Sequence, residues 1–193
     1  MAEKKKNIDV VTPVLPMFWT TLNTEQLDKQ RATSKYPTSA RYGLSLLIDK
    51  NDKKAMEWLT GFQKECQELA KGQKIPAQKF PYTDGDTMKQ SYCHGAWVLT
   101  ARCYTGNISI LNPDKSVMRD ADIAKIKWGD KGRIVGQAFY NEQGKPGVLL
   151  SFSVLQFAGV GKAIGSGPEE DAKKLDALEA VLEDVTSDEE AVA

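Results

Sequence analysis

The chain changes its apolar period from two to three-and-four and back again, and that limits the folds open to it. From Arg41 to Ile48, Tyr42, Leu44, Leu46 and Ile48 alternate with Arg41, Gly43, Ser45 and Leu47, the spacing of a strand with one buried face. From Asp52 to Lys71 the apolar positions become Ala55, Met56, Trp58, Leu59, Phe62, Cys66 and Leu69, which line one side of a helix. Asp52 suits the N-cap and Gly72 the stop. The period of two then returns, with Trp97, Leu99, Ala101 and Cys103 set against Val98, Thr100, Arg102 and Tyr104. Asn107 to Leu111 reads as a short strand able to pair with it, and Asp120 to Ile126 as a helical turn. Arg133 to Asn141 and Val148 to Phe157 read as a hairpin whose loop holds Gly144, Pro146 and Gly147. Helices do not alternate with strands, which argues against a βαβ sheet. The pattern predicts a mainly β fold: a small OB-like antiparallel barrel with one amphipathic helix.

The flanking segments complete this outline. Ile8 to Leu22 is rich in β-branched and aromatic residues, but Pro13 and Pro16 cannot donate to a ladder, so it reads as an edge strand. Asn23 to Ser39 is polar, holds Pro37 and lacks an apolar period, which predicts a long loop. Lys79 to Asp86 has the Pro, Gly and Asp residues of a turn-rich loop carrying Phe80 and Tyr82. The predicted organisation is a barrel domain over 1–158, a Gly-rich linker over 159–168 and a disordered acidic tail over 169–193. No repeat of 20 to 50 residues is present.

Charge sharpens the picture. Lys plus Arg and Asp plus Glu each number 26, yet residues 1–168 carry 24 bases against 16 acids, net +8, and residues 169–193 carry 2 against 10, net −8. A basic body draws polyanions through counterion release, while an acidic tail competes for that surface or reaches another protein. A solvated surface with a solubilising end is the bland alternative. No apolar run approaches the ~18 residues of a membrane span, and none follows the basic start Lys4-Lys5-Lys6. The expectation is a soluble, cytoplasmic protein that neither spans nor anchors to a membrane. Cys66, Cys93 and Cys103, odd in number and widely spaced, suit buried reduced thiols.

Catalytic chemistry finds little material. The single histidine, His94, lies between Cys93 and Gly95; with Cys103 this offers three zinc ligands at most and no paired-cysteine knuckle. Adjacent Cys93 and His94 point to opposite faces of a strand, which disfavours a nucleophile pair. Asp84/Asp86 and Asp120/Asp122 are the acids a two-metal nuclease would use, but Asp-Gly-Asp is good turn chemistry, and the twelfth position from Asp84 is Gly95, not the Glu of a calcium loop. The run Gly159 to Gly165 fails as a nucleotide loop, with Ile164 where a dinucleotide fingerprint needs Gly and Ala163 where a phosphate loop needs Ser or Thr. No enzyme, metal or cofactor is predicted.

A binding surface remains. Unpaired nucleic acid is held by cations along its phosphates and by aromatic faces on which bases stack. Arg102 and Tyr104 fall on the strand face opposite Trp97 and Leu99, placing a cation beside a ring on the open side. They are the leading candidates, followed by Arg41 and Lys50, Phe80 and Tyr82, Trp128 with Lys125, Lys127 and Lys131, and Arg133. The competing class is a non-catalytic assembly module with a peptide-binding groove.

Several features, in order, resemble the phage-encoded single-stranded DNA-binding proteins with an OB fold, long catalogued as a domain of unknown function. They are Ala40 to Ile48 followed by a lysine-rich helix start, Lys79-Phe80-Pro81 with Asp84-Gly85-Asp86, the Gly95 to Arg102 strand, the hairpin turn from Asn141 to Val148, and the acidic end. The likeness spans roughly Tyr42 to Phe157. It implies coating of exposed single strands during phage DNA replication or recombination in the host cytoplasm. It also implies recruitment of replication or recombination proteins through the acidic tip, here Asp188, Glu189 and Glu190. That tip ends in Ala191-Val192-Ala193, without the aromatic last residue of many such tails. A homodimer is compatible with this reading.

Overall fold

The computed structural model describes residues 7–71, 79–142 and 146–164. The chain divides into two units, Met1–Lys162 and Ala163–Ala193. The tail with Asp188, Glu189 and Glu190, the linker from Gly165 onward, the expected helix stop at Gly72, and Gly144 of the hairpin loop lie outside the described residues.

The elements run β1 (Asn7–Val11), β2 (Leu15–Thr21), α1 (Thr24–Thr33), β3 (Gly43–Asp49), α2 (Lys53–Ala70), β4 (Tyr82–Asp84), β5 (Ala96–Arg102), β6 (Ser109–Leu111), α3 (Asp120–Ile123), β7 (Lys131–Asn141) and β8 (Gly147–Gly159). Strands β2, β3, β5, β8 and β7 pair in that order, and β7 pairs β2 again, which closes a five-stranded OB-like barrel. The β5–β8 ladder is parallel and the other ladders of the ring are antiparallel. Closure removes the open edges that an exposed sheet would carry.

Alternation sends Leu44, Leu46 and Ile48 of β3, Leu99 and Ala101 of β5, Ile134 and Ala138 of β7, and Leu150, Phe152 and Leu155 of β8 into one core. The predicted helix stripe meets them: Ala55, Leu59, Phe62, Cys66 and Leu69 of α2 are buried, and α2 touches β3, β7 and β8 from around the ring. Asp52 caps α2 as expected, its carboxylate accepting from Lys54 and Ala55 backbone N–H groups at 3.0 and 3.1 Å. Truncating fully buried Leu59 to Ala is expected to cost about 2–5 kcal/mol.

Four expectations need correction. Asn23 to Ser39 is not simply a loop, since α1 occupies Thr24–Thr33. It buries only Leu27 and so shows no apolar period. Its support is local: Asn23 accepts from Gln26 N, Gln26 Oε1 accepts from Leu22 N, and Lys29 and Arg31 pair with Glu25 and Asp28. Second, Ile8 to Leu22 is two strands, not one edge strand. β1 lies along the later part of β7 and β2 along its start, with Pro13 in the break, and β2 then bridges to β3 inside the ring. Third, β6 does not pair with β5; both pair β8 in parallel, one after the other along its edge. Fourth, the Tyr82–Asp84 part of the predicted loop adds to β5 as β4.

Candidate nucleic-acid interface

The outer face of β2, β3 and β5 is unlike the rest of the barrel exterior. Phe18 pairs with Ser45, Ser45 with Thr100, and Leu47 with Val98 across the three strands. Phe18, Leu47, Cys93 and Val98 are buried yet stand outside the main core cluster, so a small second apolar layer covers part of this face. At the other end of the face, from Gly43 to Tyr104, the surface is polar and cationic.

β5 sorts its side chains as the alternation predicts: Leu99, Ala101 and Cys103 are buried, while Thr100, Arg102 and Tyr104 are exposed. Arg102 pairs with Gly43 on β3. A Cβ at position 43 would sit 3.4 Å from Arg102 Cγ and 3.2 Å from the Ala101 carbonyl oxygen, so the guanidinium stem lies across the bare backbone of Gly43. Arg41, two residues before Gly43, is exposed and donates from Nη1 to the Thr38 and Ala40 carbonyls at 2.8 and 2.9 Å. Among the described residues neither arginine forms an ion pair. Tyr104 is 41% exposed, and its ring meets Phe139 edge-on at 5.7 Å. Burial raises the Tyr104 hydroxyl pKa, and the charges of Arg102 and Arg41 oppose that rise. The Cys103 N–H donates to the Tyr42 carbonyl at 2.8 Å, so the segment carrying Arg41 runs beside Tyr104, which sequence alone had placed beside Arg102 only.

Lys50 stands differently. Its Nζ lies 2.6 Å from Asp84 and 2.5 Å from Asp86, and 5.8 Å from the centre of the Trp97 ring. Hydrogen bonds to the two aspartates hold the Lys50 pKa above its usual value. Lys50 in turn lowers Asp84, and the Gly95 N–H followed by Lys50 lowers Asp86. The Lys50 charge is met by the chain's own carboxylates at the surface. Phe80 and Tyr82 stack on each other at 5.2 Å, and Tyr82 meets Phe62 and Trp97 edge-on. Burial pushes the Tyr82 hydroxyl up to about 12. Gly85 is required here because a Cβ would strike the Cys93 and Ala96 carbonyls. Lys50 is thus stapled to Asp84 and Asp86 at the Trp97 end of β5, whereas Phe80 and Tyr82 follow the β4–β5 ladder the other way, Tyr82 pairing with Leu99 and Pro81 O accepting from Thr100 N, with both rings packed on the core.

The remaining candidates divide. Lys125 is paired with Asp122 at 2.9 Å, and partly buried Arg133 donates to Gln156 at 2.8 Å. Lys127 and Lys131 are exposed and Trp128 is 39% exposed. Trp128 meets Tyr92 at 6.4 Å, Tyr92 meets Trp19 at 6.3 Å, and Trp19 meets Phe18 at 4.6 Å. Sequence reasoning missed Trp19 and Tyr92. Alternation from the buried Leu15 and Met17 groups Trp19 with the core residues, so no sequence signal turns it outward.

Among the described residues no three His, Cys, Asp or Glu side chains gather where a metal ion would fit. Asp84 and Asp86 face Lys50, whereas Asp122 faces Arg119 and Lys125. Cys93 and Cys103 are buried, and His94 Nε2 lies 3.0 Å from the exposed-side Met88 carbonyl. No helix among the described residues is long and apolar enough to cross a membrane.

No protein-family model matches the chain, and neither does any curated protein. Solved structures do. The single-stranded DNA-binding protein from bacteriophage Enc34 aligns with a TM-score of 0.59 at 17% identity, covering 86% of this chain and 87% of that one. The same protein in complex with single-stranded DNA aligns at 0.58, again at 17% identity, covering 84% and 91%. The single-stranded DNA-binding protein gp2.5 of bacteriophage T7 aligns at 0.55 and 15% identity, covering 86% and 94%. The chain shares the fold of these phage single-stranded DNA-binding proteins. Counting around the closed ring from the broken first strand β1–β2, the second and third strands are β3 and β5, which carry Gly43 and Arg102.

Proposed function

We propose that the chain binds single-stranded DNA on the outer face of β3 and β5, coating exposed strands without sequence preference during phage DNA replication or recombination. The observation that carries this reading is the placing of two arginines outside any ion pair among the described residues beside the half-exposed Tyr104: Arg102 lies two residues before it, and the Gly43–Arg102 register with the Cys103 N–H to Tyr42 carbonyl bond brings Arg41 alongside. A duplex hides its base faces inside the stack, whereas an unpaired strand offers them. A half-exposed tyrosine beside two cations therefore suits a base and its neighbouring phosphates. Sequence tolerance follows from the same chemistry, because every base has a π-face and every nucleotide a phosphate. The Enc34 protein of the same fold has been captured with single-stranded DNA. The role is one of binding, not catalysis, and belongs in the host cytoplasm.

The tail completes the proposal. Its net charge of −8 matches the +8 of residues 1–168 in size. In the absence of DNA it competes for the cationic face, and its acidic tip, Asp188, Glu189 and Glu190, recruits replication or recombination proteins. Removing 169–193 should tighten DNA binding at low salt; unchanged or weaker affinity would count against competition.

A peptide-binding module is the second reading, favoured by a groove between β1 and α2 lined by Val11, Trp58 and Phe62. Asp9, Glu57 and Glu65 also line it, so its chemistry is unsuited to DNA and the two readings separate cleanly. The test is a titration of the full chain with an oligothymidine of about 30 nucleotides and with a duplex of equal length at low salt, where counterion release favours binding. Tighter binding to the single strand supports the proposal. No binding to either ends it.

A further inference from the structure

Of the described residues outside glycine, only Trp19 and Lys115 have positive φ. Lys115 sits in the tight turn between Asn112 and Ser116, where such a φ is ordinary. Trp19, at φ 48°, is another matter. A bulky aromatic in the left-handed region is a genuine outlier, and an outlier that the surrounding fold maintains points to use. The β2–β3 register slips between Phe18 and Thr21 at this residue. Phe18 keeps its place in the buried outer layer while the Trp19 ring, partly exposed, is turned onto Phe18 and toward Tyr92. Had the strand run on without the slip, simple alternation would have sent residue 19 to the barrel interior.

The result is a row of three partly exposed rings, Trp19, Tyr92 and Trp128, drawn from three separate parts of the chain. Cations flank it. Lys127 adjoins Trp128, and Lys131 pairs in register with Pro16, three residues before Trp19. Both lysines are exposed and outside any ion pair among the described residues. The neighbouring acid, Asp130, is buried, its carboxylate accepting from the backbone N–H groups of Lys127 and Gly161. Its single negative charge is outnumbered by the two exposed lysines. From Phe18 the face runs through Ser45 to Thr100, and Arg102 lies two residues further along β5. At about 4.8 Å per strand and 3.4 Å per residue, the row stands on the order of 10 Å from the Arg102 end of the same face.

We propose that Trp19, Tyr92 and Trp128 form a second base-stacking subsite, for unpaired nucleobases of the strand whose phosphates pass Arg102, and that the strained backbone at Trp19 serves to present its ring. This rests on the single-stranded DNA reading above and adds to it a second set of stacking residues. Flat rings beside free ammonium groups match an unpaired, charged strand better than an uncharged apolar partner. A second copy of this chain is the rival occupant.

Full-length wild type, Trp19→Gly, Trp19→Phe and Arg102→Ala are titrated with labelled oligothymidine at several salt concentrations, with thermal melts as folding controls. Wild type that fails to bind overturns the DNA reading itself. If wild type binds, Trp19→Gly should weaken affinity at least about fivefold with the salt slope unchanged, because stacking releases no counterions. Trp19→Phe should recover most of the loss, and Arg102→Ala should flatten the slope. Folded Trp19→Gly within twofold of wild type overturns the subsite while leaving the DNA reading intact. Should Trp19→Gly misfold, the chain carrying Trp58→Phe, Trp97→Phe and Trp128→Phe reports on Trp19 alone. Saturating oligothymidine should quench it, and unchanged emission overturns the proposal. Sedimentation is run in parallel; self-association that Trp19→Phe or Trp128→Ala abolishes without weakening DNA binding assigns the rings to a subunit contact and likewise overturns it.

Discussion

The two ends of the β3–β5 pair look alike in sequence and behave differently in the fold. Each places a cation near aromatic rings: Arg102 and Arg41 beside Tyr104, which meets Phe139, and Lys50 near Trp97, which meets Tyr82. At the Lys50 end two aspartates neutralise the charge and the rings pack on the core. At the Arg102 end no carboxylate among the described residues comes within ion-pair distance, and the ring stays half exposed. Partner supply, more than residue type, separates a structural staple from a surface able to meet a polyanion.

The sharpest way to break this contrast is to remove the Arg102 end. Arg102→Ala with Tyr104→Ala should cost roughly 10- to 100-fold in single-strand affinity, the worth of a stacked base and a phosphate contact. The dependence of log affinity on log salt should fall by about 0.7. Anisotropy titration measures both, and a circular dichroism spectrum shows that the fold is kept. Next in size is Gly85→Ala at the opposite end. Its new Cβ meets the Cys93 and Ala96 carbonyls, so stability should drop by about 1–3 kcal/mol or more, read as a lower midpoint in urea. Chains still folded should bind DNA normally.

Smaller effects sharpen the comparison further. Asp84→Asn with Asp86→Asn frees Lys50 and makes the staple end resemble the other. Low-salt affinity should rise by roughly two- to fivefold and the salt slope steepen by about 0.7 if the strand passes near. Lys50→Met should change affinity less than twofold. Its effect belongs to stability and to pH. Asp84 and Asp86 titrate below their ordinary range, so their contribution is fully present above about pH 4 and is lost as pH falls through the depressed values. Lys50 is raised, so its contribution is present below about pH 10.4 and fades above that. The Tm gap between wild type and Lys50→Met should hold from pH 5 to 9 and close as pH falls through the depressed aspartate range below about 4. A gap that widened in acid would contradict the staple.

What the sequence made legible tracks what was periodic. β3, α2 and the β7–β8 hairpin each send one face to the core, so their apolar spacing carries the information and their limits are nearly those expected, although β3 also buries Ser45 and Leu47 on its other face, where one open face was expected. α1 was hidden because capping and ion pairs hold it, with Leu27 alone buried. β4 was hidden because three residues show no period, and its place depends on β5. At the candidate site, Arg102 and Tyr104 could be placed outward from alternation, but Lys50 could not be discounted, because Asp84 and Asp86 are 34 and 36 residues away. Trp19 escaped notice for the opposite reason: alternation would have placed it inside, and only the register slip and its positive φ bring it out.

Photocrosslinking tests the central claim most directly. An oligothymidine with 5-bromodeoxyuridine substitutions is bound to the full chain, irradiated, and the attached peptides identified by mass spectrometry. Crosslinks should fall on the peptide that contains Tyr104 and be absent from the one that contains Phe80 and Tyr82. Crosslinks confined to Phe80 and Tyr82, with none at Tyr104, would place the strand along β4 instead of the outer face of β3 and β5 and contradict the account.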